Sequence, residues 1–194
     1  IKTLYFKYLS AAFGSALISS IYGIVDMAMV GQYQGPDGTA ALAVVAPVWN
    51  VIYSIGLLMG IGGSVIFSTK RGSGMSADGE DDRYFTAAVI GSVILAALAW
   101  VGLILFERPL LMFFGTDETL LALAQRYMIP VKVVFPLFLF NQMLAAFLRN
   151  DGAPALATLG VLSGGIFNVL GDWFFVFPCD MGVYGAGLAT ALGS

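Results

Sequence analysis

Residues 39–69 read TAALAVVAPVWNVIYSIGLLMGIGGSVIFST and contain no charged side chain. A helix needs about 20 predominantly apolar residues to cross the hydrocarbon core of a bilayer, which is roughly 30 Å thick. This stretch exceeds that length, and uncharged runs of 18 or more residues are typical of transmembrane helices. The stretch therefore predicts a helix that spans a membrane rather than one buried in a soluble core.

The whole chain has the composition of a membrane protein. It is 59% hydrophobic and 11% charged, whereas soluble domains average roughly 45–50% apolar and 25% charged residues. The net charge is −3, and the positive residues form no broad basic face that would bind nucleic acid. Lipid is therefore the expected solvent, and we expect neither DNA nor RNA as a partner.

Residue types that perform much of protein chemistry are missing. The chain has no histidine and one cysteine, Cys179, which excludes disulfides within it, cysteine-histidine zinc sites and histidine-based acid/base catalysis. Neither a serine nucleophile elbow nor a metalloenzyme motif is present. We therefore expect no catalytic residues, no enzyme activity and no cofactor, with sodium as the one metal ion to consider.

Long uncharged runs also divide the rest of the chain into helices. Helices are predicted at 8–31, 39–69, 84–106, 119–148 and 153–178, followed by a sixth that begins at 183 and is incomplete at Ser194. The linkers between them contain Gly, Pro, Asp and Asn clusters typical of turns. The expected fold class is all-α, a polytopic transmembrane helix bundle formed by residues 1–194.

Positive charge predicts the orientation of the bundle. One side contains nearly all the Lys and Arg residues that flank the helices: Lys2, Lys7, Lys70, Arg71, Arg83 and Arg149. The loops on the opposite side contain Arg108 only. Cytoplasmic loops have the excess of positive residues in membrane proteins, so we expect a multi-pass plasma-membrane protein with a cytoplasmic N-terminus.

Two carboxylates interrupt the apolar helices, Asp26 in helix 1 and Asp172 in helix 5. An ionised carboxylate inside the hydrocarbon costs on the order of 3 kcal/mol, and such groups usually face a partner or a cavity. Each lies about 7 to 9 Å below the outer end of its helix, and Thr190 of helix 6 reaches a similar depth. We expect one shared polar layer; the alternative is that each Asp reaches interfacial water separately.

Polar residues accompany both carboxylates on their own helix faces. Asn168 lies four residues before Asp172, on the same side of helix 5. A polar stripe follows one face of helix 1: Ser15, Ser19, Tyr22 and Asp26. We expect Ser19, Tyr22 and Asn50 of helix 2 to line a cavity, although hydrogen bonds from serine to the backbone would explain the serines equally well.

The residues of the predicted layer suit a hard cation. Asp26, Asn168, Asp172 and Thr190 all offer oxygen atoms, which favour a proton or an alkali or alkaline-earth ion over a soft metal. The residues do not distinguish sodium from a proton as the bound ion. The sequence therefore predicts a cation-binding site, with its ion left open.

Four stretches resemble one known family: VDMAMVG at 25–31, FLRNDGAP at 147–154, NVLGD at 168–172 and GAGLAT at 185–190. In order and spacing they are similar to the multidrug and toxic compound extrusion (MATE) transporters, and the similarity covers the whole chain. The resemblance implies a twelve-helix protein of two six-helix bundles that exports organic, often cationic, compounds in exchange for sodium ions or protons. It makes this chain the first six-helix lobe, with the sixth helix truncated and the C-terminal bundle absent.

The resemblance also assigns residues to a site. In that family an Asp of helix 1, an Asn and an Asp one turn apart in helix 5, and a Thr of helix 6 form the cation site of the first bundle. Here those roles correspond to the four residues that their depth in the membrane and their helix faces already placed in one predicted layer: Asp26, Asn168, Asp172 and Thr190. Gly171 departs from the family, which commonly has a larger apolar residue there, and we expect looser packing beside Asp172.

Residues and resemblance together predict a cation-coupled antiporter that exports organic, cationic toxic compounds by alternating access. Its expected partners are a small organic substrate, the lipid bilayer and the C-terminal bundle of the full-length protein. A lipid-linked saccharide flippase of similar architecture would be expected to have more basic residues in its cavity. A non-catalytic structural fragment of a membrane protein would have no use for two matched carboxylates.

Overall fold

The computed structural model describes residues 2–73 and 80–194, and all the regular structure in these ranges is helical. Six helices follow one another: α1 (Lys2–Gln34), α2 (Pro36–Gly72), α3 (Glu80–Phe113), α4 (Glu118–Asn150), α5 (Pro154–Val176) and α6 (Gly182–Gly193). The predicted all-α fold class is confirmed.

Several helices extend beyond the uncharged runs that predicted them. α1 begins at Lys2 instead of residue 8, and α2 continues through Lys70 and Arg71 to Gly72. Apolar composition marks only the part of a helix that suits hydrocarbon. Backbone hydrogen bonding continues through charged residues, so the helices run on beyond that part.

α3 differs most from its prediction at 84–106. It is interrupted at Phe106, which has non-helical angles (φ −114°, ψ 16°), and then continues to Phe113. Pro109 explains the break, since proline is tolerated in the first turn of a helix but disturbs the turn before it. Glu107 and Arg108, expected in a linker, are therefore part of a short helical segment.

Specific residues end α3 and begin α4 in the turn between these helices. Gly115 adopts φ 96°, a conformation that favours glycine, just after the end of α3. Asp117 caps α4 because its side chain accepts a hydrogen bond of 2.8 Å from the Leu120 amide. That bond, with a second from the Thr119 hydroxyl, holds the pKa of Asp117 below its usual value.

α4 is the central helix of the bundle, in contact with α2, α3, α5 and α6. α2 approaches it closely because Gly56 and Gly60 lack side chains. A Cβ at Gly60 would lie 3.0 Å from Met143 Cα, and one at Gly56 would lie 3.2 Å from the Leu139 carbonyl oxygen. Small residues at such contacts are the usual means by which membrane helices pack.

The outside of the bundle is apolar. Phe113 is 82% exposed and Val133 is 72% exposed. Four helical spans in the described part of the chain are long and apolar enough to cross a membrane: Pro36–Gly72, Asp82–Phe113, Glu118–Asn150 and Pro154–Val176. An exposed apolar surface of this extent suits lipid rather than water.

Candidate functional site

Asp26 lies inside the bundle, where α1 faces α4 and α6. Its side chain is buried, and the Tyr127 hydroxyl donates a 2.9 Å hydrogen bond to its Oδ2 atom. Asp26 therefore faces protein and not lipid headgroups.

Two further side chains, Thr190 and Asn168, continue this network. Tyr127 Oη and Thr190 Oγ1 are hydrogen-bonded at 3.0 Å, and Asn168 Nδ2 donates to Thr190 Oγ1 at 3.1 Å. An ionised carboxylate only accepts hydrogen bonds, and a hydroxyl has one hydrogen to donate. If Asp26 is ionised, the donors therefore point one way, from Asn168 through Thr190 and Tyr127 to Asp26.

Asp172 is fully buried beside this chain of hydrogen bonds, one helical turn after Asn168. Neither of its carboxylate oxygens has a hydrogen-bond partner among the described residues, and the same holds for Asp26 Oδ1 and Asn168 Oδ1. Asp172 and Asp26 repel each other when both carboxylates are ionised. Depriving buried polar groups of partners is costly, so this cluster of oxygens has the chemistry of a site for a proton or hard cation.

Tyr127 was not predicted as a member of this cluster. The stronger signals in helix 4 are its charged residues, Arg126 and Lys132, because charge is rare inside a membrane span. A tyrosine has a weaker signal, since its ring suits an apolar core and its hydroxyl needs only one partner. Its place between Asp26 and Thr190 follows from helix packing, which spacing along the chain does not reveal.

Glycines of α5 and α6 bring these helices close enough to form the cluster. A Cβ at Gly187 would lie 2.3 Å from the Tyr127 carbonyl oxygen, so α6 packs directly on the α4 backbone. A Cβ at Gly171 would lie 3.0 Å from Ala189 Cβ. The expectation of loose packing beside Asp172 is therefore wrong, because α6 fills the space that a larger residue would occupy.

The sequence profile of the MatE family matches residues 11–174, most of the chain. The chain belongs to the MatE family. This match confirms the family that the four short stretches indicated.

Relatives of this MatE chain are longer than it is. It is 25% identical over 178 residues to the "Multidrug export protein MepA" of Staphylococcus saprophyticus, covering 91% of this chain and 39% of that protein. The chain therefore spans about two fifths of the length of this curated relative.

Solved MATE structures share its fold. One in the bent conformation matches with a TM-score of 0.89 at 24% identity, over 99% of this chain and 42% of the other. One in the straight conformation gives the same TM-score of 0.89 at 22% identity, with the same coverage. The likeness to the two conformations is equal, so it does not distinguish between them.

The three residues expected to line a cavity occupy different surroundings in this MatE chain. The Ser19 side chain lies outside the described residues. Tyr22 is half-buried beside an apolar groove of about 250 Å³ between α1 and α5, whose lining residues are Ile21, Tyr22, Leu162, Gly165, Ile166, Val169 and Leu170. Asn50 is exposed on α2. Tyr22 therefore borders a groove, and the lining of a transport cavity by Ser19, Tyr22 and Asn50 stays a prediction.

Proposed function

We propose that this chain is the N-terminal bundle of a cation-coupled antiporter that exports organic, cationic compounds from the cell. The observation that supports the proposal most is that Asp26 and Asp172 are both buried, while Asp26 Oδ1 and both Asp172 oxygens have no hydrogen-bond partner among the described residues. A purely structural bundle would gain nothing from leaving such groups without partners. Family membership and the naming of MepA as a multidrug export protein support the choice of substrate class.

In the proposed mechanism, the coupling ion supplies the partner that Asp172 lacks. Asp172 receives no hydrogen bond from the described residues, whereas Asp26 accepts one from Tyr127. A sodium ion would use the free carboxylate and amide oxygens, and a proton would bind one carboxylate directly. No bound cofactor takes part in either case.

Ion binding drives transport only if the ion binds two conformations with different affinity. The site lies between α1, α4, α5 and α6, so a change in how these helices pack would change the spacing of its oxygens. We propose that release of the ion permits the alternative packing, which exposes the substrate cavity to the other side. The second bundle of the full-length protein would form the opposite wall of that cavity.

The test is export of a cationic dye by the full-length protein. Asp26→Asn and Asp172→Asn should each reduce export at least tenfold, because an amide neither binds a proton at neutral pH nor offers a charge to sodium. Asp37→Asn is the matched control, since Asp37 is exposed in the first turn of α2, and it should export normally.

Ion replacement then identifies the coupling ion. Export that depends on sodium at constant pH would assign sodium, and export that follows a proton gradient without sodium would assign the proton. Unchanged export by both Asp variants, at wild-type protein levels, would contradict the proposed coupling site.

A further inference from the structure

A second polar cluster lies on α4, away from the candidate cation site. Lys132 Nζ is 2.8 Å from Glu107 Oε2 of α3, and their side chains are only 24% and 12% exposed. Removing one partner of a sheltered ion pair is strongly destabilising because it leaves the other charge uncompensated. The ion pair therefore fixes the position of α3 relative to α4 where the two side chains meet.

The backbone of Lys132 is held as well as its side chain. Pro136 has no N–H group, so the Lys132 carbonyl four residues earlier lacks its helical hydrogen bond. Trp100 Nε1 of α3 donates a 2.6 Å hydrogen bond to that carbonyl oxygen. α3 thus replaces the hydrogen bond that proline removes from α4.

The break in α3 lies at this same contact. Phe106 has non-helical angles immediately before Glu107, and Glu107 Oε1 is buried without a hydrogen-bond partner in the described part of the chain. We call Trp100, Glu107 and Lys132 the α3–α4 brace. Both helices are interrupted by proline where the brace joins them. The direction of each helix there therefore depends on its contacts with the other helix.

The brace and the cation site lie on different faces of α4. Tyr127 is five residues before Lys132, which separates the two side chains by about 140° around the helix. Tyr127 faces Asp26 and Thr190, whereas Lys132 faces α3. The rotation and height of α4 therefore set both contacts together.

We propose that the α3–α4 brace positions Tyr127 against Asp26, so that Glu107, Lys132 and Trp100 are positioning residues for the cation site. This inference rests on the proposed function. Without the brace, the proline-interrupted middle of α4 has more freedom, and the conformation in which Tyr127 donates to Asp26 is less populated. Asp26 without this donor is more readily protonated, so the apparent affinity falls for sodium, which needs the ionised carboxylate, and rises for protons.

The experiment measures dye export by the full-length protein over a range of coupling-ion concentrations. Lys132→Met, Glu107→Gln and Trp100→Phe should each shift the half-saturating ion concentration on the order of fivefold to tenfold, upward for sodium and downward for protons, with little change in the maximal rate. Exchanging the charges in Lys132→Glu with Glu107→Lys should reverse much of the shift. Arg108→Met is the matched control, because it breaks an exposed ion pair between the same two helices, Arg108 with Glu118.

Two results would overturn the inference. One is an unchanged half-saturating concentration in all three single variants. The other is a lower maximal rate with unaltered half-saturation, which would indicate a packing role alone.

A separate measurement distinguishes failure of the brace from failure of the proposed function. If export by the parent protein shows no ion dependence, the proposed function fails. Thermal unfolding of Lys132→Met, Glu107→Gln and the double variant still tests the brace, because coupled residues give non-additive shifts in melting temperature. Additive shifts would contradict the brace whatever the transport result.

Discussion

One hydroxyl group on α4 connects α1 to α6 at the candidate site. Tyr127 is the only side chain on α4 seen to hydrogen-bond with both Asp26 of α1 and Thr190 of α6 within the described residues. Its ring is buried, so water cannot readily replace the hydroxyl. The position of this single oxygen therefore affects how Asp26 and Thr190 present their remaining oxygens.

Tyr127→Phe should change ion binding without unfolding the bundle. The substitution keeps the ring but removes a charge-assisted hydrogen bond to ionised Asp26, a kind worth about 1.5–3 kcal/mol. Because that bond stabilises the ionised carboxylate, its loss should shift the half-saturating ion concentration roughly tenfold or more, upward for sodium and downward for protons, measured by dye export. Tyr53→Phe is the control, because Tyr53 is exposed on α2; an equal shift in that variant would remove Tyr127 from the site.

At the scale of the helix, α4 is placed by its neighbours on opposite sides. α6 packs on its backbone at Gly187, and α3 holds it through Lys132. Two prolines, Pro130 and Pro136, interrupt its internal hydrogen bonding. A helix so interrupted depends on these contacts for its path.

Gly187→Ala should destabilise the contact between α4 and α6. The added methyl would lie 2.3 Å from the Tyr127 carbonyl oxygen, and overpacking of this kind costs about 1–3 kcal/mol. We expect a lower melting temperature of the full-length protein together with reduced export.

Gly160→Ala in α5 is the matched control for that substitution. A Cβ there would have no neighbour within 4 Å, and alanine is favoured over glycine within a helix by roughly 0.5–1 kcal/mol. The control should therefore keep or slightly raise the melting temperature. Equal destabilisation by both alanines would contradict the close α4–α6 contact as its cause.

At the scale of the whole molecule, the distribution of charge sets the expected orientation in the membrane. Arg71 pairs with Asp151 at one end of the bundle, and Arg108 pairs with Glu118 at the other. The end that contains Lys70, Arg71 and Arg149 is the more positive one and is proposed to face the cytoplasm. Cys179, an exposed cysteine between α5 and α6, lies at the opposite end.

Labelling of cysteine in intact cells tests this orientation. A membrane-impermeant maleimide should label Cys179 of the full-length protein from outside, and Cys179→Ser should remove that signal. Ser73→Cys, introduced into the Cys179→Ser variant, should be labelled only after the membrane is permeabilised. The reverse pattern would place the N-terminus outside.

The orientation, the coupling ion and the cation-site assignment stay predictions, whereas the family and the all-helical fold are confirmed. Uncharged stretches such as 39–69 are long enough to predict their helices directly, because a span must satisfy the thickness of the hydrocarbon. The break at Phe106 was harder to predict from the sequence. A run of apolar residues continues across it, and only Pro109 hints that the helix is interrupted there.

The sequence by itself determined that this chain is a bundle of apolar helices containing two costly carboxylates, since composition and helix length follow from lipid as the solvent. It also determined which residues of α1, α5 and α6 share a depth, because the rise per residue of a helix is constant. Only the tertiary structure decided that Tyr127 joins Asp26 to Thr190 and that Glu107 and Trp100 hold Lys132. Those contacts depend on how far each helix is rotated and how closely glycine lets it approach its neighbours, which no spacing along one helix encodes.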